Sequence, residues 1–424
     1  MTEASLPALV IVADAPDALV QLSGISLLER LRRVAINLGF REATVLSNSV
    51  ASIESEIARQ SWRAGQLSIQ YRDRQGESVT VDGLRALSAA RVLVVSASSY
   101  YDKRLLAELI QSQSDSLLID SDPPAAIAPL MQSAPRSSDG WMSGAAVISR
   151  DWLAGKNTNA LIFDELSADV AAGRAAPIDA AKQSSYVPDM RRHVRPCFFP
   201  APSESSRSVA ERLLRDNTQK GALDFPAYVH EPIEKWLVSR VARTSITPNQ
   251  ITLATALFGL GVTILYTIGD LAVGVVIALL IGVLDGVDGK LARLTERTTK
   301  IGEGEHALDY CLEMSWWAAL AFHFHSTGQV PNALWIWLAF FVSDVVDRLA
   351  KWTVERRFGR KLDDLSRFDR FVRSIAGRRN IYTWLFAIFV LIGSPAAGFL
   401  ALSFWGITST AVHVFRAAQV RMST

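Results

Sequence analysis

Six apolar runs of bilayer length crowd residues 249–415 of this 424-residue chain, and they restrict its fold more than any other feature. They lie at about 249–268, 271–292, 306–325, 331–349, 380–394 and 397–415, against the roughly 20 residues a helix needs to cross hydrocarbon. Some are short or carry acids, yet the loops between them sort cleanly by charge. Gly269–Asp270, Ser326–Asn332 and Ser394–Gly398 hold no Lys or Arg. The opposite loops hold Lys290, Arg293, Arg297 and Lys300, then Lys351 through Arg379, and Arg416 and Arg421 follow the last run. Six spans put every basic loop and both termini on one side, which the positive-inside rule makes cytoplasmic. A different count would scramble the sorting. The expectation is an all-α six-helix transmembrane bundle, multi-pass in the inner (plasma) membrane, with both termini cytoplasmic and the lipid bilayer as its surroundings.

The first half is built differently. Ala8–Val12, Ala43–Leu46, Arg91–Ser96 and Ser116–Ile119 are apolar runs of strand length, and Leu27–Leu38 and Leu105–Ile110 have helical apolar spacing. This alternation predicts a soluble α/β domain with a mostly parallel sheet covered by helices. Residues 184–206, rich in Pro, Ser and Arg, read as a break, and Ser205–Lys220 fits a short polar helix. The expected organisation is a cytoplasmic α/β domain at 1–200, a linker at 201–224, an interfacial helix at 225–243 and the membrane domain at 244–424. In the interfacial segment Ile233, Trp236, Leu237 and Val241 share a helical face, with Lys235, Arg240 and Arg243 elsewhere. An ordinary soluble helix is the alternative. Mean hydropathy is +0.18, and the net charge of +2 says little about partners; no nucleic acid is expected. Cys197 and Cys311 stand too far apart for a disulfide framework. Residues 1–40 lack a basic start followed by a long apolar run, so no secretory signal is expected.

The chemistry concentrates in LLIGVLDGVDGKLARL, Leu279–Leu294. Asp285 and Asp288 stand at i and i+3, so both carboxylates project from one helical face. Acids at such a depth are costly and rarely kept without a role. Gly282, Asp285, Gly289 and Ala292 follow at steps of three and four, where small side chains leave room for a ligand. Arg293 adds donors suited to phosphate oxygens. On the next run Glu305, Asp309 and Glu313 are spaced by four. Five carboxylates on adjacent helices would repel one another unless they held a divalent metal pair, for which Mg²⁺ or Mn²⁺ is the natural choice. A pyrophosphate substrate fits such a two-metal site. The alternatives are acids that pair with Lys290, Arg293 or Lys300 only to fix packing, and a proton or ion pathway. Neither requires the small-residue face.

Asp285-x2-Asp288-Gly289-x2-Ala292-Arg293, with acids on the next helix, resembles the signature of the CDP-alcohol phosphotransferases, D-x2-D-G-x2-A-R followed by G-x3-D-x3-D. Thr247–Thr252 (TPNQIT) resembles the start of that family's first membrane helix and brings in Asn249. The resemblance covers about residues 225–424. Its second half departs from the pattern in one of two registers. Either Asp309 and Glu313 take the final two acid positions, with Gly304 one residue early, or Glu305 and Asp309 do; the leucines before Asp309 and Glu313 favour the first. The resemblance then implies that Asp285, Asp288, Asp309 and Glu313 hold the metals. It implies that Glu313 is also the general base, and that Asn249, Gly289, Ala292 and Arg293 bind the CDP moiety. Phe368–Asn380 resembles a segment of members fused to nucleotidyltransferases, where Arg373, Arg378 and Arg379 would bind an acceptor phosphate or lipid headgroup. Positive-inside anchoring is the alternative for these arginines. Asp344 and Asp347 are given no catalytic role. The implied activity moves a phosphoryl-alcohol or phosphatidyl group from a CDP-linked alcohol or CDP-diacylglycerol to an alcohol or polyol-phosphate acceptor, releasing CMP, in a homodimer. The rival is a non-catalytic membrane scaffold or transporter with a relic site.

Gly24–Val34 and Gly39–Leu46 resemble the early part of sugar- and inositol-phosphate nucleotidyltransferases, and the fusion resembles bifunctional inositol-phosphate cytidylyltransferase/phosphodiester synthases. Here Ala13–Asp17 offers two acids and no glycine where such enzymes cradle a triphosphate. Their metal-binding Asp would fall near Ser98, where no acid stands. The expectation is a Rossmann-like domain without activity. A divergent site using Asp14 or Asp17 is the alternative.

Overall fold

The computed structural model describes residues 6–422 except 61, 64, 77, 78, 88, 222 and 298–301, and for 302–307 the helix but not the side chains. The chain divides into two compact units. The first comprises residues 1–186, 193–218 and 294–298; the second comprises 187–192, 219–293 and 299–424.

The first unit is an α/β domain around a seven-stranded sheet. Its strands are β1 Ala8–Val12, β2 Glu42–Ser47, β3 Ser68–Asp73, β4 Arg91–Ser96, β5 Ser116–Asp120, β6 Trp141–Ser149 and β7 Ala176–Asp179, in the order β7-β5-β6-β4-β1-β2-β3. All neighbours are parallel except β6, which runs antiparallel to both β4 and β5. Helices α1 Leu27–Asn37, α2 Val50–Ala58, α3 Lys103–Gln111, α4 Ile162–Ala171 and α5 Glu204–Asp216 belong to the same unit. Near-continuous apolar strands such as β4 are what a sheet covered on both faces demands; Val92 and Val94 pack with Leu117, Ile119, Ala146 and Ile148. Within α1 the charged residues are buried. Glu29 accepts from Arg32 Nε and Arg33 Nε at 2.6 Å each, and Ser26 caps the helix through the Glu29 amide at 3.2 Å. Arg30 and Arg33 donate to the carbonyls of Leu294 and Thr295, at 2.6 Å each. Helix α5 fills most of the 201–224 stretch, where a short polar helix was expected at Ser205–Lys220.

The second unit is helical: α6 Phe225–Val241, α7 Pro248–Ile268, α8 Leu271–Leu294, α9 Gly302–Ser326, α10 Ala333–Phe358, α11 Arg367–Ile375, α12 Arg379–Leu391 and α13 Pro395–Met422. Its core gathers Tyr266, Trp317, Phe324, Phe340, Phe386 and Phe399. Small residues let helices close up: Trp316 Nε1 donates to the Gly259 carbonyl at 2.8 Å, and a Cβ on Gly406 would lie 2.4 Å from the Phe340 ring. Helices coincide with all six expected spans. Among the described residues, however, only α7, α8 and α13 are long and apolar enough to cross a membrane, with mean hydropathies of 1.9, 2.3 and 1.4. Helix α12 has 13 residues, about 20 Å at 1.5 Å per residue, short of a hydrocarbon core of about 30 Å. Leu253, Leu257, Ile264 and Ile268 of α7 are 61–69 % exposed. Such a bare apolar band is unfavourable in water and marks this unit as membrane-associated. On α6 the pattern is inverted relative to a water-soluble helix. Pro226, His230, Glu234 and Val238 are buried, while Phe225, Tyr228, Ile233 and Trp236 face outward.

Candidate active site

Three residues advance about 300° around a helix, so Asp285 and Asp288 of α8 stand about 60° apart, and different neighbours claim them. Asp285 Oδ2 meets Arg379 Nη2, at the first turn of α12, at 2.7 Å. Asp288 is buried, and its Oδ2 accepts from the Thr252 hydroxyl of α7 at 2.8 Å. The two acids thus share a face of α8 while their carboxylates meet different helices. The start of α7 is fixed locally by a capping box: Thr247 Oγ1 accepts the Gln250 amide at 3.3 Å, Gln250 Oε1 accepts the Thr247 amide at 2.9 Å, and Pro248 fills the first helical position. Thr252 follows on the next turn. Asn249 lies exposed on the first turn.

A cavity of about 530 Å³ is lined by Asp285, Asp309 and Glu313 together with Arg373, Arg378 and Arg379. Six residues singled out from the sequence thus share one space. Asn249, Asp288, Gly289, Ala292 and Arg293 do not line it. Glu313 is buried, and Arg348 Nη2 lies 4.0 Å from its Oε2. Arg348 is itself held by Asp344 at 2.7 Å and covers the Tyr310 ring at 4.0 Å from the centroid. Glu305 and Lys300 lie outside the described residues.

The cavity also has residues that the sequence did not single out. Asp363, in the loop after α10, is ion-paired with Arg373 and lies 3.5 Å from Arg191 Nη1 and 3.6 Å from Arg378 Nη1. Burial pushes the Asp363 carboxyl up, but Lys351, Arg373 and Arg378 together outweigh it and hold it well below the usual carboxylate range. Burial, then the like charge of Arg378, draws Arg373 below the usual guanidinium range, with Asp363 opposing. Asp344 and Asp347, given no catalytic role above, line the cavity as well. Asp347 is shared between Lys351 and His413, at 2.7 Å each. The available signals were weak: Asp363 opens the acidic start of an otherwise basic loop, and Arg191 is one of several arginines in a Pro- and Ser-rich stretch.

The small-residue face of α8 serves packing more than expected. A Cβ on Gly282 would lie 3.0 Å from Asn380 Oδ1 and 3.1 Å from the His230 ring; on Gly289 it would lie 3.4 Å from the Arg293 guanidinium. On Gly286 it would lie 2.2 Å from Glu234 Oε1. Glu234 is buried against Lys290, itself buried, and cannot swing aside without breaking that pair. Gly286→Ala is expected to destabilise the detergent-solubilised protein by about 3–5 kcal/mol, the scale of breaking a buried ion pair, read as a fall in melting temperature. Unchanged melting would show that Glu234 relocates freely.

The donor set suits a hard divalent cation: carboxylates only, in a polar cavity, with the cationic group of Arg379 already drawn to Asp285. Among the described residues, no three His, Cys, Asp or Glu side chains are grouped closely enough to hold an ion. Asp288 is turned to Thr252 instead.

In the amino-terminal unit Asp14 is spent on structure. Its Oδ1 accepts the Asn48 amide at 2.7 Å, and Oδ2 is ion-paired with Arg74. Ser96 Oγ accepts the Ser98 amide at 3.3 Å, in the loop where the metal-binding Asp of the resembled enzymes would fall.

Residues 245–414 match the CDP-alcohol phosphatidyltransferase family. A "Bifunctional IPC transferase and DIPP synthase" of Thermococcus kodakarensis is 28 % identical over 209 residues, covering 48 % of this chain and 46 % of the relative. A protein of the same name from Aquifex aeolicus is 30 % identical over 198 residues, covering 46 % and 44 %. The chain spans less than half the length of the curated relatives it matches. The solved inositol-1-phosphate CTP transferase of T. maritima aligns with a TM-score of 0.36 at 8 % identity, over 49 % of this chain and 97 % of that one. The signature around Asp285 and Asp288 and the match over residues 245–414 agree: this part of the chain is a CDP-alcohol phosphatidyltransferase domain.

Proposed function

We propose that the protein is a multi-pass membrane CDP-alcohol phosphotransferase. It moves a phosphoryl-alcohol or phosphatidyl group from a CDP-linked donor to an acceptor alcohol, with release of CMP. The observation that carries this reading is the cavity in which Asp285, Asp309 and Glu313 share walls with the arginines around Asp363. Acids and guanidiniums in one space suit a reaction with a proton to remove and phosphates to hold. Glu313 takes the proton of the acceptor hydroxyl as that oxygen bonds to the phosphorus bearing the transferred alcohol, and the bond from that phosphorus to the CMP oxygen breaks. Mg²⁺ or Mn²⁺ held by Asp285, Asp288, Asp309 and Glu313 would screen the phosphoryl oxygens and stabilise the departing CMP phosphate. Arg293, with Asn249, Gly289 and Ala292, serves the CDP moiety. Positioning and charge stabilisation carry the rate, since little covalent chemistry falls to the protein.

Arg373 and Arg378 around Asp363 favour a phosphorylated polyol over a neutral alcohol as acceptor, which would place the reaction in polyol-phosphodiester synthesis; phospholipid synthesis is the second reading. The curated relatives are named as synthases of this double kind, which accords with it. Arg379, engaged by Asp285, belongs with the acid cluster. The topology is six-span, with basic loops and both termini cytoplasmic, α6 lying in the interface and the chain a homodimer. The apolar outward face of α6 and the charge sorting of the loops support it. The amino-terminal unit is a nucleotidyltransferase-like domain without its chemistry.

Purified full-length protein should release CMP from a CDP-alcohol or CDP-diacylglycerol when a polyol phosphate and Mg²⁺ are supplied, and chelation should stop it. With CTP and a polyol phosphate it should release no pyrophosphate. Pyrophosphate release lost in Asp14→Asn would restore a bifunctional enzyme. No CMP from any donor would leave a scaffold or transporter.

A further inference from the structure

Residues 187–192 lie outside the family match, yet they belong to the helical unit, and Arg191 among them lines its cavity. The segment is a short strap. Its first residues form a single 3-10 turn, closed by the Arg191 amide on the Pro188 carbonyl at 3.1 Å, and it ends with Arg191 in the left-handed region at φ 49°, ψ 41°. A residue with a Cβ is rarely found there, and here it is locked by the chain beside it. The Gly221 amide donates to the Met190 carbonyl at 2.8 Å, and Arg192 Nη1 donates to the Gln219 carbonyl at 3.3 Å. Gly221 is required by this approach: a Cβ would lie 2.3 Å from the Arg191 carbonyl oxygen and 3.0 Å from its carbon. Those are backbone atoms and cannot rotate away.

The strap carries Arg191, buried at 9 % exposure, to Asp363. Arg373 and Arg378 converge on the same carboxylate oxygen. Asp224 lies 3.9 Å from Arg378. Three guanidiniums, two of them buried, thus approach one carboxylate oxygen, and like charges held so close carry a cost that an anionic ligand lowers. Planar guanidiniums match the oxygens of a phosphate monoester with paired, parallel N–H donors.

We propose that Arg191 binds the phosphate of the acceptor, with Gly221 as its positioning residue, so that the segment before the family domain completes the active site. The proposal rests on the transferase reading above and adds that acceptor recognition depends on chain outside residues 245–414.

The test uses purified full-length protein and two measurements. In steady state, Arg191→Ala should raise the acceptor KM at least about tenfold, the scale of one charge-assisted hydrogen bond, with the CDP-donor KM changed less than about twofold. Arg191→Lys should be intermediate. Gly221→Ala, which keeps every charge, should move the acceptor KM in the same direction. Arg212→Ala, a matched charge loss on the exposed side of α5, should change nothing. In the second measurement inorganic phosphate is the probe: it should raise the melting temperature of the wild type and of Arg212→Ala, but not of Arg191→Ala. Should Arg191→Ala not fold, Arg191→Lys and Gly221→Ala carry both arms. Equal increases in donor and acceptor KM, an unchanged acceptor KM, or a phosphate effect that survives in Arg191→Ala would each overturn the assignment. A wild type that releases no CMP yet shows the Arg191-dependent phosphate effect would sink the transferase reading and leave the anion site standing; a wild type with neither would sink both.

Discussion

Asp285→Asn should lower CMP release by at least about a hundredfold, the loss expected for one strong transition-state stabiliser. The substitution keeps the shape of the side chain and removes its charge. It also takes away the partner that Arg379 meets at 2.7 Å, so the guanidinium is freed toward Asp309 and Glu313. The same substitution at Asp288 should be equally damaging to turnover, although an Asn there can still accept from Thr252 as Asp288 does at 2.8 Å. The two variants therefore separate charge from packing. Initial rates of CMP release, with Mn²⁺ binding followed by electron paramagnetic resonance, provide the measurement. Near-normal rates and Mn²⁺ affinity in both variants would remove the metal-site reading.

Glu313→Gln should abolish turnover while the protein still binds its CDP substrate. A general base contributes about 10²–10⁴ in rate, and an amide cannot take a proton. Glu313 suits the role because it is buried, lines the cavity and stands 4.0 Å from Arg348, too far for a hydrogen bond that would hold its proton-accepting oxygen. Glu305→Gln should be mild. Single-turnover CMP release, set beside calorimetric binding of the CDP substrate, tests the pair. The opposite ranking would transfer the base to Asp309 and make Glu305 the third metal ligand.

Local pattern carried much of this far. Ala8–Val12 and Arg91–Ser96 are strands at the boundaries expected from apolar run length, and the Leu27–Leu38 helix ends one residue early. Such elements are readable because a buried strand needs a continuous apolar run and an amphipathic helix needs a 3.6-residue period. The antiparallel β6 was not readable. Trp141–Ser149 pairs with Arg91–Ser96 and Ser116–Asp120, and pairing between distant segments leaves no short-range mark on either.

The sequence by itself determined the kind of chemistry. Acids three and four residues apart in apolar helices, followed by an arginine, are too costly to keep idle, and their spacing sets them near one another whatever the rest of the chain does. Tertiary structure decided which of them meet. Asp285 turned to α12 and Asp288 to α7, because about 60° of helix circumference separates them and a different helix packs on each side. It also decided what the glycines are for: Gly286 admits the buried Glu234, and Gly221 admits the backbone of Arg191. Arg191 and Asp363 are 172 residues apart in the chain, and their approach to 3.5 Å comes from the packing of a strap and a loop that share no local signal. Helical periodicity is a property of neighbours in sequence; a cavity is a property of neighbours in space.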